Sequence, residues 1–162
     1  MAKSKKVTHL CIIILVVFSY SSHLFSQTSK NIQIKEVWIP MADGLKLAAD
    51  LYIPEDFNST NQFPIILEYL PYRKDEGRGN RYSLFSYFVQ QGYIVARVDI
   101  RGTGRSEGKL IEREYTEQEQ VDGEEVIDWL SKQNFSTGNI AMIGISWGGF
   151  NALHLAMRKP PA

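Results

Sequence analysis

The sequence predicts an α/β fold in which an opening β-hairpin leads into a mostly parallel sheet with helices on both faces. Three observations carry this. Strand-like and helix-like stretches alternate from residue 63 to residue 158. The strand-like stretches FPIILEYL (63–70) and YIVARVDI (93–100) are near-continuous apolar runs, as strands buried on both faces require. Ahead of them, two further strand patterns flank Asp43-Gly44, a pair that supplies the positive φ of a tight hairpin turn. The composition fits a globular domain: 162 residues, 44% hydrophobic, formal net charge zero. No charge bias points to nucleic acid or to an acidic partner.

Residues 1–26 stand apart from the fold. Lys3, Lys5 and Lys6 form a basic start, residues 10–18 (LCIIILVVF) a short apolar run, and residues 19–26 a polar, small-residue stretch. The apolar run is too short to span a bilayer, and the pattern is that of a secretory signal peptide. It implies a secreted or periplasmic protein with no stable membrane insertion after cleavage. Cleavage after Ser21 or after Ser26 fits equally, and an uncleaved anchor is the alternative. Cys11 is the only cysteine and lies at the start of the apolar run, so the mature chain has no disulfide to form.

The remaining elements follow in order. Residues 32–39 read as a strand with mixed faces, ended by Pro40, and residues 45–53 as its return, closed by Pro54. Residues 55–62 are polar loop. Asn58-Ser59-Thr60 and Asn134-Phe135-Ser136 match the glycosylation sequon, a triplet frequent by chance. After the strand at 63–70 comes Pro71-Tyr72-Arg73-Lys74, and then a charged loop over 75–81. Arg73, Lys74, Arg78 and Arg81 look basic, but Asp75 and Glu76 dilute them, so a solvated loop is expected. Residues 83–91 read as a short amphipathic helix with Gly92 as its C-cap.

The strand at 93–100 opens into residues 101–108, RGTGRSEG. Its glycines stand as G-x-G-x-x-x-G, one residue off the dinucleotide fingerprint, and no amphipathic helix follows, which argues against nucleotide binding. Residues 116–132 form a helix that starts with Thr116 and Glu119 at capping-box spacing. Six acids crowd it: Glu117, Glu119, Asp122, Glu124, Glu125 and Asp128. Near a helix N-terminus they favour the dipole, so a solvated face is expected rather than a metal site. Val121, Val126, Trp129 and Leu130 supply the buried stripe. Residues 134–138 read as loop.

Residues 139–150 (NIAMIGISWGGF) carry the strongest signal. A short strand at 140–145 meets Gly144-Ile145-Ser146-Trp147-Gly148, and a helix runs from Gly149 to Arg158, stopped by Pro160. Gly-x-Ser-x-Gly between a buried strand and a helix is the nucleophile elbow of α/β-hydrolases, where neighbours without Cβ let the chain fold back tightly. The plainer reading is a Gly-rich turn whose serine caps the helix. Sites in open α/β sheets lie at the carboxyl ends of the strands. Tyr72, the 101–108 loop and Ser146 all fall there.

The pieces MADGLKLAADLYIP, EYLPYRK, VARVDIRGTGRSEG, EEVIDWL and GNIAMIGISWGGFNALHLAMRKPPA resemble, in order and content, the start of the CocE/NonD hydrolases. That family is related to cocaine esterase and the Xaa-Pro dipeptidyl-peptidases, and the likeness covers about residues 35–162. It implies the N-terminal part of an α/β-hydrolase domain (27–162) and a serine hydrolase acting on ester or amide bonds of a small-molecule or peptide substrate, without cofactor or metal. By the same resemblance Ser146 is the nucleophile. Trp147, in place of the tyrosine of better-known relatives, gives a backbone N–H to the oxyanion hole, and Tyr72 completes the hole with its hydroxyl.

The base and its orienting carboxylate are not identifiable. His9 and His23 belong to the leader, and His154 lies eight residues past Ser146 on one helix, about 12 Å along its axis. A general base works at about 3 Å. Because the order in α/β-hydrolases is Ser, then Asp or Glu, then His, both partners are expected beyond Ala162. An incomplete sheet, inactive by itself, is the corresponding expectation. The competing reading is a non-catalytic α/β-hydrolase-like binding protein that keeps the elbow for packing.

Overall fold

The computed structural model describes residues 32–162 apart from positions 59, 111 and 161. The signal-peptide reading and the sequon at Asn58 therefore fall, wholly or in part, outside the described residues. Among the described residues, five strands and three helices follow in the order β1 (Ile32–Pro40), β2 (Lys46–Pro54), β3 (Phe63–Leu70), α1 (Arg78–Gln90), β4 (Ile94–Asp99), α2 (Glu117–Ser131), β5 (Ser136–Met142) and α3 (Trp147–Arg158). They form one sheet in the order β1-β2-β4-β3-β5. The hairpin turns at Gly44, φ 90°, as its Asp-Gly predicts. β1 and β2 are antiparallel, β2 meets β4 antiparallel, and β3 pairs parallel with both β4 and β5.

The period of two in the inner strands sorts the two faces. Leu47, Ala49, Leu51 and Ile53 of β2, Ile65, Leu67 and Tyr69 of β3, and Ile94, Ala96 and Val98 of β4 join Val126, Ile127 and Leu130 of α2 and Leu155 of α3 in one core. On the other face Tyr52, Ile66 and Val95 pack against Phe85 and Val89 of α1. Tyr52 and Phe85 meet edge to face at 4.8 Å. Each fully buried Val, Leu, Ile or Phe among them contributes about 1.5–3 kcal/mol. The helices thus cover both faces, as predicted.

Towards the carboxyl ends of β3 and β4 the α1 face turns from apolar to charged. Glu36, Asp50, Arg97 and Glu68 are successive cross-strand neighbours over four strands. Like charges opposite each other, as at Glu36 and Asp50, are unfavourable. Lys74, fully buried, resolves this by placing its Nζ 2.8 Å from Glu36 and 3.0 Å from Asp50. Burial pulls the Lys74 ammonium down, but its bonds to Glu36 and Asp50 more than offset this and leave it raised. Arg78 pairs with Asp50 and Asp75, and Arg81 pairs with Glu68 at 3.2 Å. Arg97 faces Glu68 at 3.0 Å without hydrogen-bonding geometry.

This corrects two expectations. Lys74, Arg78 and Arg81 are not a solvated basic loop but the cover of a charged row, and only Arg73, paired with Glu76 at the surface, fits the earlier reading. The same ion pairs let α1 begin at Arg78 rather than 83, with Gly77 left-handed (φ 64°) at its N-cap. β5 also differs. It starts at Ser136, inside the expected loop, and ends at Met142. Its polar first half pairs through backbone with Phe63 across a register shift, which a pattern of apolar residues cannot reveal. β5 has no strand on its far side among the described residues, and Phe150, Leu153 and Met157 on the outer side of α3 are exposed.

Candidate active site

Three segments meet at the carboxyl end of the sheet: the turn after β3, the loop after β4 and the elbow after β5. After Met142 the chain leaves the sheet with a last ladder bond, Ile143 N–H to the Leu67 carbonyl at 2.9 Å. It then folds back so sharply that a Cβ on Gly144 would lie 2.2 Å from the carbonyl carbon of Gly148. Ser146 sits at the tip at φ 53°, ψ −122°, a conformation a non-glycine residue adopts only under strain. It occupies the N-cap position of α3, but its side chain makes no capping hydrogen bond, so the plainer reading of the serine as a cap does not hold. The exposed hydroxyl is left available at the end of β5.

Tyr72 reaches the same place from β3. The turn that presents it is held by Arg73 at φ 61° and by the buried Lys74. The Trp147 backbone N–H donates to the Tyr72 hydroxyl at 3.2 Å, so two of the three predicted residues meet directly and the third, Ser146, is the chain neighbour of Trp147. Tyr72 and Trp147 form one wall of a cleft of about 590 Å³, whose other walls come from Thr103, Leu110, Arg113 and Glu114. Ser146 is not among the lining residues of that cleft. His154 is a helix-face residue as expected; its ring packs edge-on against Tyr115 at 5.1 Å.

The 101–108 loop is built inward. A Cβ on Gly102 would meet the Leu110 nitrogen at 2.1 Å, and one on Gly104 the Asp99 carboxylate at 2.0 Å. Those glycines are required by the chain's own close approach, which accounts for the near-miss to a dinucleotide fingerprint. Arg101 binds Asp122 through two nitrogens (2.7 and 2.6 Å) and Asp43 at 2.6 Å, and the Asp122 bond raises the guanidinium further above its ordinary value. Asp99 accepts from the backbone N–H groups of Lys74 and Arg105, while burial pushes its carboxyl above the usual range. The loop is fastened to β2 where Ser106 Oγ accepts from Ala48 N–H at 2.9 Å.

The acidic face of α2 is only partly solvated. Asp122 and Glu119 are buried, the first beneath Arg101 and the second between α2 and α3, whereas Glu117 is open to solvent. The helix starts at its Thr116 cap, which accepts from Glu119 N–H at 3.3 Å. The capping box is altered, since the Glu119 carboxylate bonds Tyr115 N–H at 2.8 Å rather than that of Thr116. The sequence pattern placed Glu119 in the first turn of a helix but held no signal for the side on which it would be buried.

The chain thus carries part of an α/β-hydrolase fold, a mixed sheet covered by helices on both faces with a strained serine raised between β5 and α3. It belongs to the X-Pro dipeptidyl-peptidase (S15) family, whose pattern matches residues 43–162. The cocaine esterase of a Rhodococcus species is 32% identical over 115 residues, 70% of this chain and 19% of that protein. Among solved structures, an α-amino acid ester hydrolase superposes with a TM-score of 0.66 at 30% identity, covering 83% of this chain and 24% of that one. A CocE/NonD family hydrolase from Staphylococcus aureus superposes with a TM-score of 0.68 at 24% identity, covering 80% of this chain and 26% of that one. The chain thus spans about a quarter or less of the length of these relatives.

Proposed function

We propose that this chain is part of a secreted serine hydrolase that cleaves ester or amide bonds through an acyl-enzyme. Ser146 Oγ attacks the acyl carbon and gives its proton to a base. The leaving alcohol or amine departs with a proton, and water then releases the acid and restores the serine. A serine hydroxyl is a weak nucleophile until a base takes its proton. The tetrahedral intermediate places its charge on the former carbonyl oxygen, where Trp147 N–H and the Tyr72 hydroxyl donate. Each such donor is worth about 3–4 kcal/mol of barrier.

The observation that carries this reading is the 3.2 Å meeting of Trp147 N–H and the Tyr72 hydroxyl beside a serine held at φ 53°. The base and its orienting carboxylate are assigned to a part of the enzyme outside the described residues. That reading is supported by the side of β5 that has no strand among the described residues and by the exposed Phe150, Leu153 and Met157, since bare sheet edges and apolar patches ask for cover. Export rests on the leader pattern of residues 1–26.

The test is a fluorophosphonate probe applied to the protein expressed from its complete reading frame, with wild type and Ser146→Ala side by side. Covalent labelling of wild type that Ser146→Ala abolishes is expected. A wild-type protein that turns over no ester and takes no label at Ser146 refutes the reading and favours a binding module. Sequencing the N-terminus of the exported protein tests the leader, with removal of 21 or 26 residues as the expected result.

A further inference from the structure

Glu119 is 1% exposed, yet the hydrogen-bond partners of its carboxylate among the described residues are neutral N–H groups. Oε1 accepts from Trp147 Nε1 at 2.6 Å and from Asn151 Nδ2 at 2.8 Å, while Oε2 accepts from the Tyr115 backbone at 2.8 Å. Burying a carboxylate away from a cation is costly unless several donors converge on it, as they do here. Trp147 and Asn151 stand one turn apart on the side of α3 that meets α2. Leu155 continues that stripe against Gly123, where a Cβ would lie 2.6 Å from the leucine side chain. Gln120 Nε2 adds a bond to Asn151 Oδ1 at 3.3 Å, and Tyr69 ties the Glu119 carbonyl to β3 at 3.1 Å. The first turn of α3 is therefore gripped at two points by one carboxylate fixed to the neighbouring helix and the central sheet.

We infer that Glu119 is a positioning residue for acyl transfer: by holding the Trp147 indole and the Asn151 amide, it aims the Trp147 backbone N–H at the acyl oxygen. The indole and that N–H belong to one residue. Restraining the ring at the start of the helix restrains the Ser146–Trp147 peptide plane, whose N–H already faces the Tyr72 hydroxyl. The inference rests on the serine-hydrolase reading above and extends it to a residue that touches no substrate.

The test uses the protein from its complete reading frame with a p-nitrophenyl ester, in wild type, Ser146→Ala, Glu119→Gln, Trp147→Phe and the Glu119→Gln/Trp147→Phe double variant. Trp147→Phe keeps the ring and the backbone N–H but removes the indole donor. Each single change at 119 or 147 is expected to lower kcat about tenfold with KM within twofold, and the double to lose less than the two losses combined, because the indole bond that Trp147→Phe removes is one that Glu119→Gln already weakens. If Glu119→Gln does not fold, Trp147→Phe decides alone: lowered kcat at unchanged melting temperature supports the inference, and wild-type kcat overturns it. A lowered melting temperature with wild-type kcat, or additive losses in the double variant, also overturns it. Ser146-dependent turnover that Glu119→Gln leaves unchanged overturns this inference alone, whereas wild-type turnover indifferent to Ser146→Ala overturns the hydrolase reading together with it.

Discussion

The two glycines of the Gly-x-Ser-x-Gly turn should respond oppositely to alanine. At Gly144 the added Cβ would stand 2.2 Å from the carbonyl carbon and 2.3 Å from the carbonyl oxygen of Gly148, and 2.6 Å from the Gly149 nitrogen. Carbon atoms pack at about 3.5–4.0 Å, so the first turn of α3 must recede by roughly 1.3 Å. All three clashing atoms are backbone, so no side-chain rotation relieves them. Overpacking of this kind costs about 1–3 kcal/mol, and a displacement of about 1 Å at reacting groups costs about 10²-fold in rate. At Gly148 the nearest foreign atom to an added Cβ is the Tyr69 carbonyl oxygen at 3.4 Å, an ordinary contact. Alanine there gains helix propensity of up to about 1 kcal/mol. Chemical denaturation and the fluorophosphonate labelling rate measure both variants. Gly144→Ala is expected to be less stable and about a hundredfold slower to label, and Gly148→Ala as stable as wild type or more so. Equal destabilisation by the two, or a Gly144→Ala protein with wild-type labelling, would refute the clash argument.

The remaining predictions concern the residues around the elbow. Tyr72→Phe removes the hydroxyl that meets Trp147 N–H. It should lower kcat by about 10²–10³-fold in ester hydrolysis with little change in stability. Asp122→Ala strips the mostly buried Arg101 of its two-point partner and should cost about 3–5 kcal/mol in urea unfolding. The Arg101 bond, followed by the Leu45 backbone N–H, holds the Asp43 carboxyl below its ordinary 3.8. Its contribution to stability is therefore present above pH 3.8 and is lost as pH falls through the lower folded-state value. Asp43→Asn should accordingly flatten the part of the acid-unfolding curve below pH 3.8 and leave the neutral region parallel to wild type. Residues 27–162 expressed by themselves should hydrolyse no ester, and activity from that segment that Ser146→Ala removes would count against the placement of the base.

What could be read from the sequence was local. The hairpin at Asp43-Gly44, the apolar runs of β3 and β4 and the Thr116 cap declare themselves within a few residues and stand where they were expected; the elbow does so too, but its strand ends at Met142 rather than 145 and its helix begins at Trp147 rather than Gly149. Trp147 and Tyr72 could be paired only through the family resemblance, since nothing in their spacing brings positions 75 residues apart together. The misread features were those decided by register and long-range charge. Asp50, Glu68 and Arg97 are scattered polar residues inside apolar runs, and only the strand order β1-β2-β4-β3 aligns them into a row. Lys74, Arg78 and Arg81 looked solvated because their partners lie on other strands. Glu119 and Asp122 looked like surface acids because the pattern of α2 gives a stripe but not its width.

The Asp99 side chain receives backbone N–H groups from two different loops, one carrying Tyr72 and the other continuing from β4. Lys74, from the first loop, and Arg105, from the second, share the Glu36 carboxylate on β1. These segments are thus not modular. Exchanging the 101–108 loop for one from a relative, in order to change substrate range, would also loosen the turn that presents Tyr72. A workable graft has to move Asp99, Lys74, Arg105 and Glu36 as a set, and loop shuffling without that set should yield folded chains with a misaligned hydroxyl.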